Sequence, residues 1–516
     1  MTEMTEQVVG KVFFVGAGPG DPKLITVRGM EALQMADAVV YDRLASPRLL
    51  RYLKPDTQKI YVGKLPDRHT LRQEEINQLL LELAQQGLTV TRLKGGDPAV
   101  FGRVGEEALT LAEQGVPFEL VPGVTSAIAV PAYAGIPVTH RGLTSSFAIV
   151  TGHECPKKDD SDIDWQKLAT ATGTIIFLMG VKNLASICEQ MIAHGRMPST
   201  QVAVIQWGTC TAQRTVTGTL ETIYQQVQAS GISSPAITIV GEVVQLRDQL
   251  QWFERKPLFG RKIVVTRARK QASQLVARIE ELGGEALELP VIETVDLTDA
   301  EDRANIAVTF EKLSNYEWIL FTSVNGVESF FRELRLADID IRTITGKIAA
   351  VGEKTATELA ERGLQVELIP EDYRAEGLFE PLQAVKVADR EQRVLLARAK
   401  VAREWLPQQL RELGFIVDDV AIYETRPVSQ PDEYVIEQIL SGEADAITFT
   451  SSSTVSNYLA LMNRYDYRIP DDCKIICIGP ITAQTAYDAG LQVTATSDQA
   501  TIESLVQALL NDTRSE

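Results

Sequence analysis

Lys262-Ile-Val-Val-Thr-Arg267-Ala-Arg returns later in the chain as Arg393-Val-Leu-Leu-Ala-Arg398-Ala-Lys. Downstream of each copy, Pro290-Val-Ile-Glu-Thr294 is echoed by Val420-Ala-Ile-Tyr-Glu-Thr425 and Phe321-Thr-Ser323 by Phe449-Thr-Ser451. Val351-Gly352 returns as Ile478-Gly479, and Gly363-Leu-Gln-Val as Gly490-Leu-Gln-Val. The offset drifts only from 131 residues between Arg267 and Arg398 to 127 between Gly363 and Gly490, a drift that short loop deletions explain. The period is far longer than that of a solenoid. It predicts two similar α/β lobes, and a cleft between lobes is where small ligands bind.

With 516 residues the chain exceeds the roughly 250–300 at which a single core stops growing, so several domains are expected. Its 45% hydrophobic and 23% charged content is that of ordinary globular protein. No apolar run reaches the roughly 18–20 residues of a membrane span, and the opening Met-Thr-Glu-Met-Thr-Glu lacks signal-peptide character. A cytoplasmic protein without membrane partners is expected. The net charge of −18 argues against nucleic acid, which wants a basic face. Cys155, Cys188, Cys210, Cys473 and Cys477 form no C-x-x-C pair, and the four histidines are scattered. No metal site is expected, and the thiols should be reduced and inert.

The first half alternates apolar β-rich runs with helical patterns, which predicts α/β layers. Strands are expected at Val12–Val15, Ala38–Tyr41, Thr89–Leu93, Phe147–Thr151, Thr174–Leu178, Val202–Gln206 and Ala236–Val240. Helices are expected at Arg72–Gln86 and Gly105–Gln114. Leu250–Lys262, with Trp252, Phe253, Leu258 and Phe259 among charges, separates a closing strand at Ile239–Val244 from an opening one at Ile263–Thr266. This aromatic stretch reads as a packed junction between domains at 8–250 and 258–516.

Val15-Gly-Ala-Gly-Pro19-Gly-Asp21-Pro invites a dinucleotide reading, but the fingerprint needs glycine where Asp21 stands and a helix directly after. Two prolines make a turn-rich loop instead. Further glycine-rich loops follow at Lys94-Gly95-Gly96-Asp97-Pro-Ala-Val100-Phe-Gly-Arg103 and Val121-Pro-Gly-Val-Thr125-Ser126. Met179 and Gly208 end later strands and Ala236 begins one. Loops gathered at strand ends would line one crevice. Each residue alone has a plain structural reading: Met179 as packing, Asp42 and Lys64 as solvated charges.

Taken together, these motifs, with Ala36-Asp-Ala-Val-Val-Tyr-Asp42, Ala132-Tyr-Ala-Gly-Ile-Pro-Val-Thr-His140-Arg141 and Gly241-Glu-Val-Val, resemble the uroporphyrinogen-III C-methyltransferases of the tetrapyrrole methylase family. The resemblance implies two α/β lobes clasping S-adenosyl-L-methionine. It assigns cofactor contacts to Pro19, Gly95, Gly96, Asp97, Val100, Thr125, Ser126, Met179, Gly208 and Ala236. It makes Asp42 the proton acceptor and Lys64 the proton donor, since methylating a pyrrole carbon requires loss of a proton. The substrate carries eight carboxylates, for which Arg43, Arg103, His140 and Arg141 are candidates. A homodimer through the first half is expected.

Over 258–516 the ordered motifs resemble uroporphyrinogen-III synthase: Val-Val-Thr-Arg267, Phe-Thr-Ser323-Val-Asn325-Gly, Val-Gly-Glu-Lys-Thr355-Ala, Ala375-Glu-Gly-Leu, Ile-Tyr423-Glu-Thr425, Phe-Thr-Ser451-Ser and Ile-Gly-Pro-Ile-Thr482-Ala. The implied fold has lobe one at 258–294 plus 426–516 and lobe two at 295–425, joined by crossing strands near Ile292–Thr294 and Ile422–Thr425. Ring closure with inversion of the last pyrrole needs geometric control more than strong acids or bases. Tyr423 is the candidate for assisting hydroxyl departure; its plain reading is core packing. Ser323, Thr355, Ser451 and Thr482 are candidates for holding acetate and propionate groups, each with an N-cap as its plain reading. Asn325 stands where some relatives carry a basic residue. The implied whole is a bifunctional enzyme, without the dehydrogenase/ferrochelatase domain that some relatives carry. The alternatives are a methyltransferase whose second half only binds tetrapyrroles, an NAD-dependent oxidoreductase resting on the glycine loop, and a regulatory fusion.

Overall fold

The computed structural model describes residues 9–63, 71–152, 162–267, 269–370, 375–387 and 390–513. Strands β1 (Val12–Gly16), β2 (Ala38–Tyr41), β3 (Gln58–Tyr61), β4 (Val90–Lys94) and β5 (Phe118–Val121) form a parallel sheet in the order β3-β2-β4-β1-β5. Every residue of the central β1, Val-Phe-Phe-Val-Gly, is buried, as expected of a parallel strand covered on both faces. The helix Gln73–Gln85 covers one face, burying Ile76, Leu80, Leu83 and Ala84 at helical spacing.

A second sheet contains β6 (Phe147–Thr151), β7 (Thr174–Leu178), β8 (Gln201–Gln206), β9 (Arg214–Thr219) and β10 (Ala236–Val240), in the order β6-β7-β10-β8-β9. Only β6 and β7 run parallel; the other pairs are antiparallel. Strands β3, β5 and β9, absent from the sequence reading, all lie at sheet edges. Edge strands keep polar residues toward solvent and so lack the apolar run that marks a strand. The strand expected to run to Val244 stops at Val240, because Gly241 takes φ 149° and Glu242–Leu246 coils into a 3-10 helix.

In the second half β11 (Lys262–Val265) and β12 (Glu285–Glu288) come first. They are followed by β13 (Ile292–Val295), β14 (Trp318–Phe321), β15 (Lys347–Ala350), β16 (Arg393–Ala399) and β17 (Ile416–Pro427), then by β18 (Ala446–Phe449), β19 (Lys474–Cys477) and β20 (Ala495–Thr496). They make two sheets, β12-β11-β18-β19-β20 and β13-β17-β16-β14-β15. The internal repeat is visible in the neighbours: β11-β18-β19 matches β16-β14-β15. It extends to hydrogen bonds. The Asp445 carboxylate accepts the Lys262 N–H at 2.7 Å, as Glu317 accepts that of Arg393 at 2.6 Å. Strand β13 pairs antiparallel with β17, Thr294 opposite Thr425, where the chain passes between the sheets. One core centres on Phe310, Phe321 and Phe330, the other on Phe449 and Tyr458. Among the described residues no helix is long and apolar enough to cross a membrane.

The segment after Leu250 is packed. Trp252 and Phe253 meet the Tyr133 ring at 5.0 and 4.9 Å, and the Trp252 indole N–H donates to the Ala132 carbonyl at 3.0 Å.

Candidate active sites

At the C-terminal ends of β1 and β4, and just past β5, backbones touch. A Cβ on Gly16 would lie 2.5 Å from the Gly123 Cα and 2.7 Å from the Gly96 carbonyl oxygen. The Gly96 N–H donates to the Gly18 carbonyl at 2.7 Å, and the Gly18 N–H donates back at 3.2 Å. The Asp97 carboxylate ties two loops together, accepting from the Ala99 N–H at 2.8 Å and the Gly123 N–H at 3.0 Å. Gly96 has φ +70°, and a Cβ there would enter space whose nearest atom is the Ser126 nitrogen at 3.7 Å. Thr125 caps the helix Ser126–Tyr133.

The second sheet supplies the facing wall. Ala236 lies opposite Gln206, and Ile237 opposite Leu178, so Met179, Trp207, Gly208 and Ala236 share one sheet end. Val100 packs against the apolar cluster that holds Ala127, Val130 and Leu178, joining the walls. The Arg43 guanidinium stands over the Trp207 indole at 5.9 Å, and the Asp21 N–H donates to the Thr209 hydroxyl at 3.0 Å. Among the described residues, Phe101, Arg103, Met179, Trp207 and Thr209 of this half have left-handed backbones. Such conformations cost energy and gather where structure serves function; the sequence gives no sign of them.

Asp42 follows β2. Its carboxylate accepts from the Leu44 N–H at 3.0 Å and from Arg92 at 3.2 Å. Arg92 and Lys94 are buried on β4 beside the wholly buried Glu107, which accepts from Lys94 at 2.7 Å and Gln73 at 2.9 Å. Burial, then the charge of Arg92, holds the Lys94 ammonium below its ordinary range. Sequence reasoning passed over this buried group, although the signal was present: two charges inside an apolar strand, Val90-Thr-Arg-Leu-Lys94. Lys64 lies outside the described residues. Arg103 pairs with Glu106 at 2.6 Å. His140 and Arg141 are exposed on a turn closed by Thr144, and Ser146 binds the backbone of Gly173 and Thr174. That turn lies at the start of β7, the end away from Met179, so one chain does not bring these two residues to the others.

In the second half the Tyr423 hydroxyl lies 3.0 Å from that of Ser323, which caps the helix Val324–Leu336 by accepting from the Gly326 N–H. Tyr423 is buried, and burial pushes its phenol above the ordinary value, so it stays protonated. Ser451 caps the helix Ser452–Asn463, as its plain reading holds. Thr355 and Thr482 are not caps: Gly352 and Gly479 take those positions, and both threonines are buried one turn in. Asn325 donates to the Thr294 hydroxyl at 3.1 Å, tying a helix start to β13. A cavity of about 460 Å³ lies along β13 and β17, lined by Thr294, Asp299, Lys400, Glu424 and Arg426 among others. The described thiols are buried to differing degrees: burial pushes Cys188 and Cys477 up to about 11, and Cys210 and Cys473 to about 12.

Two α/β modules, each with loops gathered at strand ends, define a fused protein with two sites. The family model of Tetrapyrrole (Corrin/Porphyrin) Methylases matches residues 11–224, and that of Uroporphyrinogen-III synthase HemD matches residues 273–507. The porphyrin biosynthesis protein HemD of Ruminiclostridium josui is 40% identical over 506 residues, covering 97% of this chain and 98% of that one. A uroporphyrinogen-III C-methyltransferase of Bacillus subtilis (strain 168) is 49% identical over 363 residues, 70% of this chain and 74% of that one. Among solved structures, the uroporphyrin-III C-methyl transferase from Thermus thermophilus complexed with S-adenosyl homocysteine is 41% identical. It covers 46% of this chain and 100% of its own, with a TM-score of 0.39. A mutant uroporphyrinogen III synthase of Thermus thermophilus is 21% identical, covers 50% of this chain and 100% of its own, and has a TM-score of 0.35. The chain belongs to the family of porphyrin-biosynthesis proteins in which a tetrapyrrole methylase is joined to a uroporphyrinogen-III synthase.

Proposed function

We propose that this chain performs two consecutive steps, the product of its second half serving as the substrate of its first. The second half is a uroporphyrinogen-III synthase, closing hydroxymethylbilane into a macrocycle with inversion of the last ring. The first half is an S-adenosyl-L-methionine-dependent uroporphyrinogen-III C-methyltransferase. The carrying observation is the match to a fused relative over 97% of the chain. In our reading methylation falls at C2 and C7 and gives precorrin-2, on the way to sirohaem and cobalamin.

The cofactor fits the first cleft, because Gly96 leaves open a cradle beside the Ser126 amide that a side chain would fill. When bound, S-adenosyl-L-methionine supplies an activated methyl group. Pro19, Gly95, Gly96, Asp97, Val100, Thr125, Ser126, Met179, Gly208 and Ala236 hold it, with main-chain groups and small side chains doing most of the gripping. Asp42 accepts the proton lost from the methylated pyrrole carbon, and Lys64 is the donor. Arg43, Arg103, His140 and Arg141 meet substrate carboxylates, the last two from a position that a homodimer through the first half would have to complete. In the second half Tyr423 protonates the departing hydroxyl, oriented by Ser323. Thr355, Ser451 and Thr482 mark the helix starts that hold acetate and propionate groups. We take 8–250 and 258–516 as the two domains and the cytoplasm as their location.

The test is incubation of the pure protein with hydroxymethylbilane, with and without S-adenosyl-L-methionine, followed by separation of isomers. Isomer III without the cofactor and a dimethylated product with it are expected. Isomer I alone is what spontaneous closure yields, and would reduce the second half to a binding module.

A further inference from the structure

Three loops of the first cleft continue directly into contacts with the second half. The loop carrying Pro19 leads to Lys23, whose ammonium meets Glu280 at 2.7 Å. The loop carrying Asp42 and Arg43 leads into the 3-10 helix Pro47–Tyr52, from which Arg48 pairs with Glu280 and Arg51 with Glu288. The loop carrying Gly208 leads to Thr211, which donates to Glu285 at 3.0 Å. In each of these four contacts the donor comes from the first half and the carboxylate from the second. The two arginine pairs are largely shielded, with side-chain exposure of 17% for Arg48, 10% for Glu280, 21% for Arg51 and 14% for Glu288, whereas Lys23 is 56% exposed. Tyr434 closes the seam beside Arg48, Arg51 and Glu288 around a cavity of about 30 Å³, room for a single water.

The loops are also stitched to one another behind the cleft. Asp21 donates its N–H to Thr209 and accepts from the Tyr133 hydroxyl at 2.8 Å. Tyr133 ends the helix begun by Ser126 and meets Trp252 and Phe253 of the junction edge to face. Moving any of the three loops therefore strains the seam, and opening the seam frees the loops. Two processes that share their moving parts in this way are thermodynamically linked, and the linkage is reciprocal.

We propose that the seam of Lys23, Arg48 and Arg51 with Glu280, Glu285 and Glu288 couples the methyltransferase cleft to the synthase half, so that cofactor binding and docking of the two halves strengthen each other. This rests on the reading of the first cleft as the cofactor site. The test uses the full chain and the double reversal Glu280→Lys with Glu288→Lys, both outside either candidate site. S-adenosylhomocysteine affinity is measured by calorimetry, and separation of the halves by small-angle X-ray scattering. We expect the variant to open and its affinity to fall about fivefold or more, the lower end of ordinary coupling. Adding Lys23→Glu, Arg48→Glu and Arg51→Glu should recover both. Open halves with unchanged affinity would overturn the coupling, and so would halves that stay docked. If the double reversal does not fold, Glu280→Gln carries the same expectation at smaller size. Failure of the unaltered chain to bind S-adenosylhomocysteine would instead remove the cofactor reading, and the proposal with it.

Discussion

Asp42 is held from two sides, by the Leu44 N–H and by the buried Arg92. An amide in its place keeps the shape and loses the base. Asp42→Asn should retain cofactor affinity in calorimetry while methyl transfer falls by about 10²–10⁴-fold, the usual worth of a positioned base; undiminished turnover would remove Asp42 from that role. Gly96→Val should abolish cofactor binding, since φ +70° resists a β-branched residue and its side chain would enter the cradle. For Tyr423, burial raises the phenol above its ordinary value of 10.0, so the donor form is complete across neutral pH and is lost only as pH rises through the higher value. Synthase activity should therefore show no alkaline loss from this group below about pH 10, and Tyr423→Phe should lower the ratio of isomer III to isomer I. Asp42 and Tyr423 were legible because motifs surround them. The burial of Arg92 and Lys94 could have been read from their apolar strand, but their meeting with Glu107 could not, because a single sequence does not show that charges thirteen or fifteen residues apart share one buried group.

Strands with buried, uninterrupted apolar runs, such as β1 and β7, could be read from the residues alone. The edges β3, β5 and β9 could not, since much of each faces water and breaks the apolar run. The duplication was the stronger guide, because it compares the chain with itself and needs no propensity. Within lobe cores the aromatic clusters carry the stability. Phe330, fully buried, meets Phe310 at 5.0 Å and Phe321 at 5.2 Å. Phe330→Ala should cost about 3–5 kcal/mol, read as an earlier unfolding transition for the second half with the first unmoved. Removing Glu107 from β4's neighbourhood should be as severe. Glu107→Ala strands Lys94 and leaves Arg92 with less counter-charge, an expected loss of about 3–5 kcal/mol visible in thermal denaturation of the first half.

At the scale of the molecule, a chain of net charge −18 takes substrates that are themselves polyanions, so local cations decide where those substrates settle. The order of the strands has a further consequence, in the making of the protein. The sheet holding β11 and β12 takes its other members from β18, β19 and β20, and the whole of β13–β17 is synthesised in between. At about 5–20 residues per second, the open side of β11 waits roughly 10–40 s on the ribosome for β18 to emerge. A chain stopped after Pro427 should accordingly yield a protease-resistant 292–427 and a readily cleaved 262–288. During that interval the nascent β11 edge is a site for chaperones, or for a neighbouring polysome's copy of the same strand.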